Sequence, residues 1–478
     1  MNTALTGYWL KQAMQAEADP ATSGDGGLAV TPLTGEARAD IAIIGGGFTG
    51  LWTALHIKAL EPAADIAIID KSLCGGGASG RNGGFCMTWS SKALPLIAAC
   101  GRQEALRLIR ASEESVRAIG RFCADHAIDA QFRHDGWLWT ASNPSQVDAW
   151  QPTLEALAAL GAPTFETLTP AQVAARSGTP VTTAGVYDPH VATVQPALLA
   201  RGMARVARQQ GVRLYEHSPV VRLRRGNPVV IDTAGPAGAG RLTAGRAVLA
   251  LNAWAAELPE FRTTFVPVGV DMIITEPVPD LLAGTGLAGG LAVSDVRVFV
   301  NFLRSTPDGR IAMGKGGSQF FWAGRVGQRA DGAARDGAAL TASFRRFFGH
   351  KGPIAIADTW HGPVTRTLNG LPHFGRLAGH PNIAYGHGYC GNGVGPSWTG
   401  GRILASLALG RRDEWTDSPL VNARQARRLP PEPLRYVGSR LVSAAAGRVE
   451  AAQDRGRPGR RLDRALARLA PPGLAPIR

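Results

Sequence analysis

The chain has 478 residues, of which 45% are hydrophobic and 18% charged, a composition typical of a globular protein with two or three domains. No apolar run approaches the roughly 18 residues of a membrane span, and residues 1–20 lack the basic start and apolar core of a secretory signal. Much of the net charge of +14 lies in an arginine-rich tail without aromatic residues. We therefore expect a solvated or disordered tail and no nucleic-acid partner.

The five cysteines are scattered along the chain and include no C-x-x-C pair. This pattern indicates neither a zinc site nor a redox dithiol, so we predict no metal site. Free thiols fit the reducing cytoplasm, where we expect the protein to reside.

The first recognisable element is an apolar strand that runs into a glycine turn and a helix. Residues 41–44 form a short apolar run, which is typical of a strand buried on both faces. Glycines follow at the G-x-G-x-x-G positions, and apolar residues then recur at helical spacing. The helix N-terminus offers N–H groups and a partial positive charge to phosphates, so this context predicts a dinucleotide site. The residues of this first motif are Gly45, Gly47, Phe48, Thr49 and Gly50.

A second apolar strand, residues 66–69, ends in Asp70, at the place where an acidic residue is expected to accept hydrogen bonds from a ribose. Lys71 and a run of small residues follow. Residues this small cannot form a packed element, but they can lay backbone N–H groups along a bound ligand. Within the run, an arginine can offer a planar fork to phosphate, and an asparagine can both donate and accept. The predicted contacts from this run are Ala78, Ser79, Arg81, Asn82, Gly83 and Gly84.

The stretch 77–84, Gly-Ala-Ser-Gly-Arg-Asn-Gly-Gly, resembles the D-amino-acid oxidase (DAO) superfamily of FAD-dependent oxidoreductases. The similarity is greatest to the branch with glycine oxidase, sarcosine oxidase and gamma-glutamylputrescine oxidase. In that family the segment runs past the pyrophosphate and the flavin ring. The family also has a passage similar to residues 217–220, where a valine backbone contacts the adenine, and Val220 is the matching position.

Residues 387–397 form a second glycine loop that opens a helix, and this loop resembles the family's second cofactor motif. The resemblance implies that the helix N-terminus points at the flavin N1–C2=O edge. A partial positive charge there stabilises the anionic reduced flavin. The matching residues are Gly391, Asn392, Gly393 and Val394.

The resemblance implies an α/β fold, in which a Rossmann-type FAD-binding domain is interwoven with an α+β substrate domain built on a mixed, largely antiparallel sheet. Both domains are expected to be discontinuous. The FAD-binding domain is assigned residues 39–90, 186–264 and 360–410, and the substrate domain residues 91–185 and 265–359. The remaining segments are a leader, residues 1–38, and a C-terminal extension with the basic tail, residues 411–478.

The resemblance also implies oxidation of a small-molecule amine, primary or secondary, or of an amino acid, with an anionic substrate as one possibility. Hydride passes from the carbon next to nitrogen to flavin N5, the imine hydrolyses, and oxygen or an unknown acceptor takes the electrons. The oligomeric state is left open.

The cofactor is predicted to be FAD bound without a covalent link. Sarcosine oxidase-like members attach the flavin to a cysteine of the later substrate-domain segment, whereas this chain has no cysteine between Cys123 and Cys390. Other members use a histidine near the early glycine loop, where this chain has Arg81 and Asn82.

Several residues are candidates for the substrate face. Arg304 could pair with a substrate carboxylate or phosphonate, or could be a surface arginine. His361 could hydrogen-bond the substrate or a flavin edge, or could be a satisfied structural histidine. Aromatic residues beside the cofactor loops could equally serve packing. The full set is Trp89, Arg304, Lys315, His361, Arg366 and Tyr389.

Two other functions are compatible with parts of the sequence. An NAD-linked dehydrogenase would need only one glycine motif, and the second loop argues against it. A flavin-bound RNA-modifying or nucleic-acid-binding protein would use the basic tail, and deletion of the chain after Ala446 would separate that function from amine oxidation.

Overall fold

The computed structural model describes residues 7–19, 30–327, 334–335, 337–422 and 428–470. The α-helices, in chain order, are α1 Tyr8–Ala18, α2 Phe48–Leu60, α3 Ala93–Asp125, α4 Gln151–Ala159, α5 Pro170–Ser177, α6 Pro196–Gln209, α7 Pro279–Leu282, α8 Gly337–Phe348, α9 Pro396–Leu409, α10 Leu434–Gln453 and α11 Arg461–Ala467. The strands are β1 Gly35–Ile44, β2 Ile66–Ile69, β3 Phe85–Cys86, β4 Trp137–Ala141, β5 Glu166–Leu168, β6 Ala184–Asp188, β7 Ala192–Thr193, β8 Arg213–Tyr215, β9 Val220–Arg224, β10 Val229–Gly235, β11 Gly238–Leu249, β12 Val266–Thr275, β13 Ala292–Asp295, β14 Asn301–Ser305, β15 Ile311–Phe320, β16 Ile356–Arg366, β17 His373–Leu377 and β18 His380–His387.

The first sheet has the strand order β17–β18–β11–β1–β2–β8, and the strands from β18 to β8 run parallel. Strand β10 pairs with β11, and β9 pairs with β10. Because parallel strands end at the same edge, Ile44, Ile69 and Leu249 lie side by side there. The first glycine motif begins at this edge, directly after Ile44 of β1. The Rossmann-type arrangement expected from the sequence is confirmed.

Both faces of the first sheet are covered, which explains its unbroken apolar strands. Ile43 of β1 packs on the side of α2 and α9, whereas Ile44 packs on the side of β10. Helices α2 and α9 approach each other closely at Gly401, where a Cβ would lie 2.5 Å from the Cβ of Trp52. This contact places the N-termini of both helices at the same edge of the sheet.

The second sheet has the strand order β16–β12–β15–β14–β13–β4–β6–β5. Its neighbouring strands are antiparallel, apart from the parallel pair β13 and β4. Helix α8 covers one face, where Phe344 and Phe347 pack with Ile273 and Met313. The mixed, largely antiparallel sheet expected for the substrate domain is therefore confirmed. Strands β3 and β7 form a separate two-stranded ribbon.

Strand β16 belongs to the second sheet, since it pairs with β12 from Thr275 opposite Ile356 to Val266 opposite Arg366. The domain boundary predicted at residue 360 therefore falls inside a strand of this sheet. The Gly362-Pro363 pair, usually a turn signal, lies inside β16, and the turn towards the first sheet comes later, at Asn369-Gly370, where Gly370 has φ +71°.

Both terminal segments pack on the body of the protein. In α1, Trp9 and Leu10 are buried in a cluster with Trp360. In the C-terminal extension, Val449 and Ala467 bury apolar surface beside Phe299. The tail expected to be solvated or disordered contains α11, although its arginines largely face solvent: Arg464 is half-buried, and Arg455, Arg457, Arg460, Arg461 and Arg468 are exposed.

No helix among the described residues combines the length and the hydropathy that crossing a bilayer requires.

The close packing of α2 on α9 generates the first prediction. Gly401→Ala should lower the free energy of unfolding by about 1–3 kcal/mol, because its Cβ would meet the Trp52 carbonyl carbon at 2.8 Å and the Thr53 amide nitrogen at 2.9 Å. Gly438→Ala in α10 is the control, since no atom lies within 4 Å of its Cβ position, and it should be neutral or stabilise by up to about 1 kcal/mol. Equal unfolding midpoints in urea for the two variants would contradict this packing.

Candidate functional site

A cavity of about 470 Å³ lies between the carboxyl edge of the first sheet and one face of the second. Most residues predicted to bind the cofactor line it. The predicted cofactor residues in its wall are Gly45, Gly47, Phe48, Thr49, Asp70, Lys71, Ala78, Ser79, Arg81, Asn82, Gly83, Val220, Gly391, Asn392, Gly393 and Val394. Of the substrate-face candidates, Arg366 and Tyr389 line the same cavity.

The first glycine motif allows the backbone at the end of β1 to approach the backbone at Ala250 closely. Gly45 has φ +112°, and a Cβ there would lie 2.5 Å from the Ala250 carbonyl oxygen, so only glycine fits. Gly47 is the N-cap of α2 and has no side chain with which to cap it. The Phe48 amide donates to Ser79 Oγ at 2.9 Å, which ties the helix N-terminus to the following loop.

Gly50 and Gly84 lie behind the wall and not in it. A Cβ on Gly50 would lie 2.0 Å from the Gly45 carbonyl oxygen, so Gly50 allows the turn and the helix to touch. A Cβ on Gly84 would lie 2.1 Å from the Val194 carbonyl oxygen. Both glycines allow close packing of backbone, and their predicted contact with the cofactor stays a prediction.

Asp70 stands at the end of β2 and binds backbone with both carboxylate oxygens. Gly46 N–H donates to Oδ2 and Ser72 N–H donates to Oδ1, each at 2.8 Å. Burial raises the pKa of Asp70, and these hydrogen bonds act in the opposite direction. Each carboxylate oxygen keeps acceptor capacity, so Asp70 can still receive a hydroxyl of a ribose.

The second glycine loop meets the first motif directly. Thr49 Oγ1 donates to the Tyr389 hydroxyl at 3.2 Å, across the 340 residues that separate them. The loop turns sharply, with φ +56° at Cys390 and φ +85° at Gly391. Helix α9 then starts from Gly395, again with no side-chain cap. The N-termini of both helices therefore adjoin one cavity, and their partial positive charge suits an anionic ligand.

Arg366 is a half-buried cation beside the second loop. Its Nη1 donates to the Cys390 carbonyl oxygen at 3.2 Å, and burial lowers its pKa. Lys92, a buried cation in the same region, was not selected from the sequence. Burial lowers its pKa to about 8; among its neighbours, Cys390 raises this pKa and Arg366 lowers it. Buried positive charge favours an anionic group nearby.

Trp89 and Arg304 lie outside the cavity. Trp89 is 2% exposed and packs in the core of the first domain. Arg304 is fully buried, and it donates from Nε to the Gly83 carbonyl oxygen at 2.9 Å and from Nη2 to that of Val194 at 2.6 Å. Arg304 is therefore neither a surface residue nor available to a substrate carboxylate, since its fork is engaged by backbone.

Lys315 and His361 point to the opposite face of the second sheet. His361 Nδ1 lies 2.7 Å from Asp271 Oδ1, which matches the structural alternative considered for this histidine. Lys315 Nζ donates to Asn301 Oδ1 at 3.2 Å, and it lines a smaller cavity under α10. In a strand, a shift of one residue reverses the face, and the sequence alone did not fix which face these side chains take.

Several wall residues were not selected from the sequence. Asn252 and Trp254 follow the end of β11, and their position after an apolar parallel strand was a usable signal. The second sheet and the loop between β13 and β14 contribute a mainly apolar wall, for which no local sequence signal exists. Its residues are Val270, Met272, Ser294, Phe302, Gly316, Gly362, Pro363, Val364 and Thr365 of the sheet and Arg297, Val298 and Val300 of the loop.

The cavity wall fits a ligand such as FAD. Trp254 Nε1 and Asn392 Oδ1 are buried and have no hydrogen-bond partner among the described residues. An unsatisfied buried polar atom costs about 1–3 kcal/mol, so both atoms favour a polar ligand. Gly391 has no atom within 4 Å of its Cβ position, which leaves backbone open to a flat ring. The described residues contain no cluster of His, Cys, Asp or Glu that could hold a metal ion.

A Rossmann-type sheet with two glycine loops on one cavity defines the class of dinucleotide-dependent oxidoreductases. Comparison with known proteins is more specific: residues 40–407 match the DAO family, FAD dependent oxidoreductase. The chain belongs to this family, and it is an FAD-dependent oxidoreductase.

Similar proteins cover most of the chain. The probable oxidoreductase OrdL of Rhizobium meliloti (strain 1021) is 29% identical over 393 residues, which are 80% of this chain and 86% of the relative. The gamma-glutamylputrescine oxidoreductase of Escherichia coli (strain K12) is 29% identical over 381 residues, 79% of this chain and 85% of the relative. The crystal structure of glycine oxidase from Geobacillus kaustophilus has a TM-score of 0.67 at 21% identity, with 81% of this chain and 99% of that chain covered.

The geometry of Asp70 generates a prediction on cofactor affinity. Asp70→Asn should weaken FAD binding about 5- to 150-fold, because its amide NH₂ would face one of the two backbone N–H groups and leave that donor unsatisfied. Titration of the apoprotein with FAD, followed by quenching of flavin fluorescence, measures the change.

Asp65→Asn at the opposite end of β2 is the matched control. Asp65 forms an exposed ion pair with Arg213, and such pairs contribute about 0–1 kcal/mol. FAD affinity that is the same in Asp70→Asn, Asp65→Asn and the wild type would contradict the role of Asp70.

Proposed function

We propose that this enzyme uses FAD to oxidise a primary or secondary amine or an amino acid. The observation that carries the proposal is the shape of the cavity, which joins a dinucleotide-binding edge to an apolar wall of the second sheet. FAD bound there would accept, at N5, the hydride of a carbon next to nitrogen, and water would hydrolyse the imine product. The names of the relatives, an oxidoreductase of gamma-glutamylputrescine and an oxidase of glycine, support this class of substrate.

The apolar wall would prepare the amine for oxidation. An ammonium group must lose its proton before it can release hydride, and desolvation favours the neutral amine. Val270, Met272 and Phe302 offer such a surface, and they face the edge that holds the glycine loops. In this account the second sheet binds and desolvates the substrate, while the first sheet holds the cofactor.

Arg366 would hold an anionic group of the substrate. It is half-buried, it lines the cavity, and its described hydrogen bond is to a carbonyl oxygen. A guanidinium in this setting gains most from a carboxylate or a similar planar anion. Tyr389, placed between the two glycine motifs, would keep the second loop in position through its bond from Thr49.

FAD would be bound without a covalent link, and the reaction would take place in the cytoplasm with oxygen or another electron acceptor. Cys390 lines the cavity, but its thiol donates to the Gly388 carbonyl oxygen at 3.1 Å and contacts Thr367. The chain's cysteines are free thiols, which suits a reducing compartment.

A panel of amines tests the proposal. Anaerobic mixing of the FAD-loaded protein with amino acids, N-methyl amino acids, polyamines and aminophosphonates should bleach the flavin colour with at least one of them. Within matched pairs, the compound that carries an anionic group should act at lower concentration, because Arg366 pairs with it. No bleaching by any amine, in protein that binds FAD normally, would overturn the proposed function.

Arg366→Met tests the position of the anion. Loss of a charge-assisted hydrogen bond costs about 1.5–3 kcal/mol, so the concentration for half-maximal bleaching by the anionic substrate should rise at least about tenfold, with less change for its uncharged partner. Arg411→Met, which removes a surface ion pair with Glu61, is the control. An equal effect on both members of the pair would show that Arg366 does not meet the anion.

A further inference from the structure

Three consecutive carbonyl groups of the cofactor-lining loop are held from behind by buried side chains. Trp360 Nε1 donates to the Arg81 carbonyl oxygen at 2.8 Å. Trp9 Nε1 donates to that of Asn82 at 3.0 Å, and Arg304 Nε donates to that of Gly83 at 2.9 Å. Trp9, Arg304 and Trp360 together are called the carbonyl clamp below.

The clamp is assembled from three separate parts of the chain. Trp9 lies on α1, Arg304 on β14 and Trp360 on β16, and all three are 0% exposed. They also contact one another: the rings of Trp9 and Trp360 meet edge to face at 5.7 Å, and the Arg304 guanidinium lies 5.0 Å from the Trp9 ring. Helix α1 precedes residues 40–407, the part of the chain that matches the family.

Helix α1 is itself firmly attached to the body of the protein. Gln195 Nε2 donates to the Trp9 carbonyl oxygen at 2.9 Å. Arg201 forms an ion pair with Glu17, and Lys11 with Asp358 at 2.8 Å. These contacts fix the position of α1 independently of the loop, so the Trp9 N–H is a donor at a fixed position.

The clamp determines which side of the loop faces the cavity. Arg81, Asn82 and Gly83 line the cavity, while their carbonyl oxygens are bonded on the side away from it. A peptide that rotated would leave a buried donor unsatisfied and turn a carbonyl oxygen towards the ligand, where it would repel phosphate or the flavin carbonyl edge. Because the clamp already orders the loop in the apoprotein, FAD binding loses less conformational entropy of the loop.

We propose that α1 is a positioning element for the cofactor and that Trp9 is its positioning residue. Trp9 holds the 81–83 segment in the conformation that binds FAD, so the fraction of apoprotein competent to bind depends on a residue that precedes the matched residues 40–407. The inference rests on FAD as the cofactor, and it does not depend on the identity of the amine.

Trp9→Phe tests the proposal, since it keeps an aromatic ring and removes the N–H donor. The FAD dissociation constant of the apoprotein should rise at least about fivefold, because the Asn82 carbonyl loses its buried partner. The visible circular dichroism of bound flavin should change as well, because the loop beside it is less ordered. Trp322→Phe, at an indole that is 47% exposed, is the matched control and should leave both readouts unchanged.

The result that would overturn the proposal is a Trp9→Phe apoprotein with a lowered unfolding midpoint but wild-type FAD affinity and flavin dichroism. That outcome would make Trp9 a packing residue only. Since FAD binding is measured without substrate, this failure is distinct from a failure of the proposed amine oxidation.

Hydrogen exchange of the wild-type protein gives an independent test that needs no variant. If the docking of α1 favours FAD binding, FAD binding must stabilise the docking of α1 equally. FAD should therefore slow the hydrogen exchange of α1 backbone amides as well as that of residues 81–83. Protection of residues 81–83 by FAD with no change in α1 would contradict the coupling.

Discussion

The meeting of two helix N-termini across one cavity is the constraint on which the rest of the structure depends. Helices α2 and α9 are brought together by contact at Gly401, and the hydrogen bond from Thr49 to Tyr389 joins the first turn of α2 to the loop that precedes α9. Neither helix has a side-chain cap from its N-cap residue, and each N-terminus presents a partial positive charge to the cavity. A dinucleotide with a negatively charged centre and a planar ring is a ligand that satisfies both ends at once.

The parts of this site that the sequence predicts are those determined by local backbone. Gly45 needs positive φ beside Ala250, and Asp70 follows a strand of four buried residues, so short patterns locate both. The second loop is equally local, because Gly391 must turn the chain into α9. For the same reason the sequence predicts the Rossmann-type domain and the family resemblance, although not the order of the strands.

The substrate side could not be predicted in this way, because it depends on how distant strands pair. Arg304 lies 221 residues from the Gly83 carbonyl that it binds, and although it shares a face of β14 with Phe302, which lines the cavity, its guanidinium meets backbone. The same holds for His361, whose partner Asp271 is its neighbour across β12 and β16. Trp9 is the extreme case, since nothing in the first turn of a leader helix indicates a contact with Asn82.

An experimental structure of the FAD-loaded protein would show whether both glycine loops bind the cofactor. We expect one FAD per chain, without a covalent bond, with its pyrophosphate at Gly47 and Ser79 and its flavin ring against Gly391–Gly393 in the same cavity. FAD that touched only one of the two glycine loops, or that lay outside the space between Gly45 and Gly393, would contradict this expectation.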